Sequence, residues 1–180
     1  MTVAPTEILD FWTETVGEKR WYVAEPALDE MMRARYENLW REAKAGKLAA
    51  WEETPEGALA LVIVLDQFPR NMFRGKPDSF SSDAQARAAA DRAISHGFDT
   101  KIDLPLRHFF YMPFEHSESM TDQNRALALF TERVGVEHYT YPYAVEHRAE
   151  IERFGRFPSR NAVLGRPSTP EEVEFLKHEP

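Results

Sequence analysis

Thr54-Pro55-Glu56-Gly57-Ala58-Leu59-Ala60-Leu61-Val62-Ile63-Val64-Leu65 is the stretch on which the fold turns. A run of eight apolar residues, Ala58 to Leu65, suits a buried strand or a buried helix equally well by hydrophobicity. Its opening separates the two. Thr54 supplies a capping hydroxyl, Pro55 suits the first helical position, and Glu56 faces the positive end of the dipole. The run also continues through Phe68, which is long for a strand. The stretch therefore predicts a helix that is apolar all round and central to the fold.

The same punctuation recurs on both sides. Thr6 is a capping residue for a first helix carrying Ile8, Leu9, Phe11, Trp12 and Val16, stopped by Gly17. Pro26 to Ala45 carries Leu28, Met31, Met32, Arg35, Tyr36, Leu39, Trp40 and Ala43 at a 3.6-residue period, closed by Gly46. Ser82-Asp83-Ala84-Gln85 reads as a capping box before an alanine-rich helix to about His96. Asp103-Leu104-Pro105 opens a fifth helix broken by Pro113, Ser119 with Asp122 caps a sixth, Tyr143 to Phe154 forms a seventh, and Thr169-Pro170-Glu171-Glu172 opens the last. The expectation is an all-α chain of about eight helices in one domain spanning residues 1–180.

Composition narrows the function classes. The net charge of −8 argues against nucleic-acid and anionic-membrane partners, which need a basic footprint. No cysteine is present, so thiolate catalysis and Cys-ligated metals are excluded, and a reducing compartment fits. The N-terminus has no signal-peptide pattern, and no apolar run approaches the ~20 residues that span a bilayer. These features predict a cytoplasmic protein. Arginine outnumbers lysine 16 to 6. Codon bias in a GC-rich genome is one explanation, supported by the 21 alanines. Local use of the planar guanidinium fork on carboxylate or phosphate is the other.

Two connections carry one pattern. Phe68-Pro69-Arg70-Asn71 precedes Gly75-Lys76-Pro77, and Phe157-Pro158-Ser159-Arg160-Asn161 precedes Gly165-Arg166-Pro167, in register after one inserted residue, Ser159. Each part has a mechanical reason: proline stops a helix, glycine takes a positive φ, and asparagine bonds turn backbone. This predicts matching helix-to-helix connections with both phenylalanine rings buried. A functional reading stands beside it, in which Arg70 and Arg160 form a paired clamp for an anion.

Asp66-Gln67-Phe68-Pro69-Arg70-Asn71-Met72-Phe73-Arg74-Gly75, His116-Ser117-Glu118, and His147-Arg148 through Arg153 to Asn161 resemble the bacterial "domain of unknown function 924" family, and Ile8-Leu9-Asp10-Phe11-Trp12 is similar too. The resemblance implies an all-α fold with tetratricopeptide-like antiparallel helix packing. It implies no established activity, cofactor or catalytic residue. Relatives often read Phe-Pro-His-Arg-Asn where this chain has Ser159 in place of the histidine.

Three readings of function follow. In the leading one, a cleft lined by Arg70, Arg74, Arg153 and Arg160 with His147 takes an anionic small molecule or peptide. The second is a helical-repeat interaction scaffold, which rests on fold analogy alone. The third is a hydrolase using His116, His147, Glu118 and Glu150. Asp66, Asn71 and Asn161 complete the candidate ligand-binding set. Asp66, at the end of the apolar helix, needs a partner if buried, and Arg70, Arg153 and Arg160 are the candidates. No catalytic residue is assigned, and no cofactor or metal is expected, because no ligand spacing matches a metal signature.

Overall fold

The computed structural model describes residues 3–178, and every regular element among them is helical. The α-helices are α1 (Pro5–Asp10), α2 (Pro26–Lys44), α3 (Pro55–Met72), α4 (Asp83–Ser95), α5 (Met112–Glu115), α6 (Met120–Leu129), α7 (Tyr141–Phe154) and α8 (Pro170–Leu176). None of the described helices is long and apolar enough to cross a membrane. The chain divides into two compact units. The first runs to Arg74 and resumes over Asp78–Pro113; the second holds Gly75–Pro77 and the chain from Phe114 onward.

In the first unit α3 is the axis. Every residue from Gly57 to Pro69 is buried, as the decisive stretch predicts. The Thr54 hydroxyl accepts from the Gly57 amide at 3.1 Å. Glycine is required at 57, because a Cβ there would run into the Trp51 carbonyl oxygen. Phe68 packs against Phe11, Trp12 and Tyr36, with ring centroids 6.0, 5.9 and 5.2 Å apart. Burying side chains of this size stabilises the unit by about 1.5–3 kcal/mol each. α4 lies along α3 with its Ala86, Ala89, Ala90 and Ala93 buried, small enough for close approach.

Several helix starts differ from their sequence reading. α1 begins at Pro5 with Ala4 at the cap position, so Thr6 lies inside the helix. Ser82 precedes α4 but makes no capping bond. Its hydroxyl donates to the Leu65 carbonyl at 2.6 Å and accepts from Trp40 Nε1 at 2.9 Å. Pro69 is the reason. It sits inside α3 without an amide hydrogen, so the Leu65 carbonyl four residues earlier loses its helical donor. Ser82 replaces that donor.

The expected fifth helix is instead a 3-10 turn, Leu106–Phe110, followed by α5. Pro113 stands in the first turn of α5, where its missing amide hydrogen costs nothing, and so begins a helix rather than breaking one.

The second unit packs α6 on α7. Ser119 precedes α6 without capping it, and the hydroxyl that reaches Asp122 belongs to Ser117, at 2.6 Å. α7 starts at Tyr141, two residues early, because Pro142 is accommodated in its first turn. Gly155 ends it with φ 71°. α8 opens at Thr169 as expected, and it does so with a capping box: Thr169 and Glu172 each accept from the other's backbone amide, at 3.2 and 2.7 Å.

The two Phe-Pro connections agree in burial and diverge in backbone. Phe68 and Phe157 are both buried. Phe68 and Pro69 remain helical, however, whereas Phe157 is extended and Pro158 opens a short 3-10 turn. The insertion of Ser159 falls at that turn. Beyond it the copies match again. Asn71 and Asn161 are both buried and each donates Nδ2 to an acid, and Gly75 and Gly165 take φ 73° and 66°.

A second repeat lies outside these connections. Thr13-Glu14-Thr15-Val16-Gly17 and Thr131-Glu132-Arg133-Val134-Gly135 both form π-helical turns. Each glycine amide reaches back five residues, to Trp12 and Phe130. Each leading threonine hydroxyl bonds the carbonyl four residues earlier, at 2.9 and 2.7 Å.

Candidate functional site

The arginines singled out by sequence fall into two classes, separated by how their counterions are held. In the first unit Asp66 is buried. Gln67 Nε2 donates to its Oδ2 at 2.7 Å, and Arg70 Nη1 lies 3.3 Å from its Oδ1. Arg70 also donates both Nη groups to Asp83, at 3.0 and 3.2 Å, and Nη1 to the Asp66 carbonyl at 2.6 Å. Asn71 and Arg74 converge on Asp29, at 2.9 and 2.8 Å. Asp66 and Arg70 thus tie the end of α3 to the start of α4, and Asn71 and Arg74 tie it to α2.

In the second unit Glu118 receives both terminal nitrogens of Arg166, at 2.6 and 2.9 Å, and the Phe157 amide at 2.8 Å. Burial pushes its carboxyl up, but these hydrogen bonds and the nearby Arg166 and Arg160 charges prevail and hold it below the usual range. Arg160 lies over the Phe157 ring at 4.3 Å and donates Nη2 to the His116 carbonyl at 3.0 Å. Asn161 donates to Glu172, which Arg156 grips bidentately at 2.6 and 2.8 Å. Those arginine hydrogen bonds, with the Thr169 amide, hold Glu172 down to about 2.

Arg153 differs. Its guanidinium lies over Phe154 and Phe175, at 4.7 and 5.7 Å from the ring centroids. Its counterion, Glu171 in the first turn of α8, is an exposed side chain: the pair is 53% and 63% accessible. Nε and Nη2 both contact one oxygen, Glu171 Oε1, at 2.9 and 2.8 Å. The fork is therefore not matched two-to-two.

Arg153 lines a cleft of about 680 Å³ between α7 and α8. α7 contributes Tyr143, Glu146, His147, Glu150 and Phe154, and the far wall includes Phe175. His147 reaches the cleft with a third of its side chain accessible, and its Nδ1 lies 2.7 Å from Oε1 of the buried Glu115. This is a close approach rather than an aligned hydrogen bond, since the ring nitrogen does not point along the N···O line. The His116 and His147 rings are 6.4 Å apart. Gln123, fully buried, donates Nε2 to the Glu115 and Ser117 carbonyls at 2.6 and 2.7 Å and so fixes the turn that carries Glu115 and His116.

The candidate residues thus assemble within each unit as separate small clusters. Sequence reasoning missed Asp29, Asp83, Glu115, Gln123, Arg166 and Glu171 as partners. Asp83, Arg166 and Glu171 stand in the Ser82 helix start, the Gly165-Arg166-Pro167 connection and the Thr169 helix start, where the pattern gives them a local role; nothing in the pattern marks Asp29, Glu115 or Gln123. Among the described residues no group of three or more His, Asp or Glu side chains is arranged to hold a metal ion.

No curated protein matches the chain. Among solved structures, a protein of unknown function from Agrobacterium tumefaciens, ATU0120, is similar at 39% identity, with a TM-score of 0.91 and 97% of each chain covered. The family model described as bacterial protein of unknown function (DUF924) matches residues 8–179, and with that match and that shared fold the chain belongs to this family.

Proposed function

We propose that the second unit binds a small molecule bearing an anionic group in the α7–α8 cleft, and that Arg153 receives that group. One observation carries this reading. Arg153 is pre-positioned by two aromatic rings yet is paired only with an exposed acid. An exposed ion pair contributes about 0–1 kcal/mol. Releasing a partner from a buried pair, such as Asp66 with Arg70, costs about 3–5 kcal/mol. A ligand therefore exchanges with Glu171 at little cost, and a carboxylate offering two oxygens matches the fork better than Glu171 does. The volume and the aromatic walls suit a ligand with an apolar body.

The test is thermal unfolding with 3-phenylpropionate, against chloride at matched ionic strength. A ligand bound by the native state alone stabilises it by about 2.7 kcal/mol at a hundredfold excess over Kd. Wild type should gain stability from 3-phenylpropionate, and Arg153→Gln should lose that gain while keeping its starting stability. Equal stabilisation of both proteins, or of neither, refutes the reading.

A second reading rests on Glu115 and His147. A buried carboxylate 2.7 Å from an imidazole that faces a cleft needs only a small turn of the ring to make the hydrogen bond that orients a general base. Ester hydrolysis abolished by His147→Gln, with phenylpropionate binding retained, would support it; no turnover by wild type would remove it.

A further inference from the structure

Arg153 and His147 stand six residues apart on α7 and line the same cleft. At a helical rise of about 1.5 Å per residue, their backbone positions lie ~9 Å apart along the axis. Ala149, Phe154 and Phe175 add apolar surface to the same space. The two polar ends are not alike. At the His147 end the buried Glu115 carboxylate is 2.7 Å from Nδ1, and Glu146 is exposed and forms no ion pair with any described residue. A second anion there meets repulsion from both acids. A carboxylate so close to Nδ1 also selects the tautomer with its proton on Nδ1, because a bare lone pair facing it would be repelled. Nε2 is then an acceptor. It is accessible and has no hydrogen-bond partner among the described residues.

From this we infer that the ligand is a hydroxy acid with an extended apolar body, its carboxylate and its hydroxyl at opposite ends. The carboxylate pairs with Arg153 in place of Glu171. The hydroxyl, a neutral donor, donates to His147 Nε2. The apolar body between them packs on Phe154 and Phe175, where its burial is favourable. A carbonyl at the far end would set its lone pairs against that of Nε2, and a second carboxylate would face Glu115 and Glu146. A hydroxyl meets neither objection. The separation also selects length: a medium-chain acid hydroxylated at its far end reaches both groups, and a short hydroxy acid does not. A cleft of about 680 Å³ holds a molecule of that size.

This inference rests on Arg153 being the anion-binding group, and the experiment separates the two claims. Isothermal titration of the full chain uses 8-hydroxyoctanoate, octanoate (no hydroxyl), 1,8-octanediol (no carboxylate) and octanedioate (a second carboxylate). A short pair, 4-hydroxybutanoate and butanoate, tests the separation. 8-Hydroxyoctanoate should bind about fivefold more tightly than octanoate, the worth of one hydrogen bond between uncharged groups. The diol and the dioate should bind more weakly than 8-hydroxyoctanoate, and the short pair should show no hydroxyl gain. His147→Phe keeps a ring against Phe157 and should erase the gain, while octanoate, which reads the Arg153 end, binds as in wild type. Arg153→Gln should weaken both eight-carbon acids by the same factor, roughly tenfold. The hydroxy acid is wrong and the anion site stands if octanoate binds as tightly as 8-hydroxyoctanoate, if octanedioate does, if the short pair shows the same gain, or if His147→Phe keeps it. Should that variant misfold, the wild-type comparisons decide alone. If the diol matches 8-hydroxyoctanoate, Arg153→Gln leaves octanoate binding unchanged, or no probe binds, both claims fall.

Discussion

Replacing Ser82 by alanine removes one hydroxyl and leaves two buried groups unserved. Ser82 is fully buried and bridges Trp40 Nε1, at 2.9 Å, to the Leu65 carbonyl, at 2.6 Å. Each unsatisfied buried group costs about 1–3 kcal/mol. Partial relaxation should bring the total to about 3 kcal/mol, which lowers the melting temperature of a chain this long by about 6–12 °C. Ser81→Ala is the control, since its exposed hydroxyl serves only Lys44 and the Asp78 carbonyl at the surface; about 0.5 kcal/mol is expected. The mechanism also predicts coupling. Pro69→Ala restores an amide hydrogen that can reach the Leu65 carbonyl, so it should be better tolerated in the Ser82→Ala background than in wild type. Urea unfolding of both single variants and the double variant measures this, with a coupling of about 1 kcal/mol expected. A Ser82→Ala cost below about 1 kcal/mol, or strict additivity with Pro69→Ala, refutes the argument that Ser82 stands in for the missing proline amide.

Asp66→Ala should lose about 3 kcal/mol in the same denaturation experiment, the low end for breaking a buried pair, because Arg70 retains Asp83; a loss under 1 kcal/mol would show that Asp83 alone suffices. Glu172 is depressed from 4.5 to about 2 in the folded protein. Its stabilising contribution is therefore complete above pH 4.5 and disappears as pH falls through about 2. Acid titration of stability should show wild type losing more than Glu172→Gln across that window, and parallel curves would contradict the assignment.

How much was readable in the sequence depended on whether the deciding interaction was local. The α3 helix, its Thr54 start, the helix start at Thr169 and the positive-φ glycines of the two connections follow from neighbours within a few residues, and they stand as read. Ser82 and Ser119 were misread for the opposite reason. Both carry the local signature of a cap, but the buried Ser82 hydroxyl is claimed by Trp40 and Leu65, 42 and 17 residues away. The burial of Asp66 and its pairing with Arg70 could be foreseen from the i,i+4 spacing on an apolar helix. The contributions of Asp83 and Asp29 could not, because nothing in the chain near Arg70 or Arg74 points to them. The Thr-Glu-x-Val-Gly pair stands in the letters alone, but a π-turn leaves no hydrophobic period by which its structure could be read. Arg153 illustrates the remaining gap: its distinction from Arg70 and Arg160 lies in the exposure of its counterion, a property no sequence pattern states.

The most direct test of the binding account is where a ligand is felt. Side-chain NMR of the arginine Nε–Hε and histidine ring resonances, followed while 3-phenylpropionate is added, reads every candidate at once. The account predicts saturable shifts at Arg153 and His147, which share the α7–α8 cleft, with Arg70 and Arg160 unmoved because their guanidinium groups are held by Asp66, Asp83 and the His116 carbonyl. Saturable shifts centred on Arg70 or Arg160, with Arg153 silent, would contradict it.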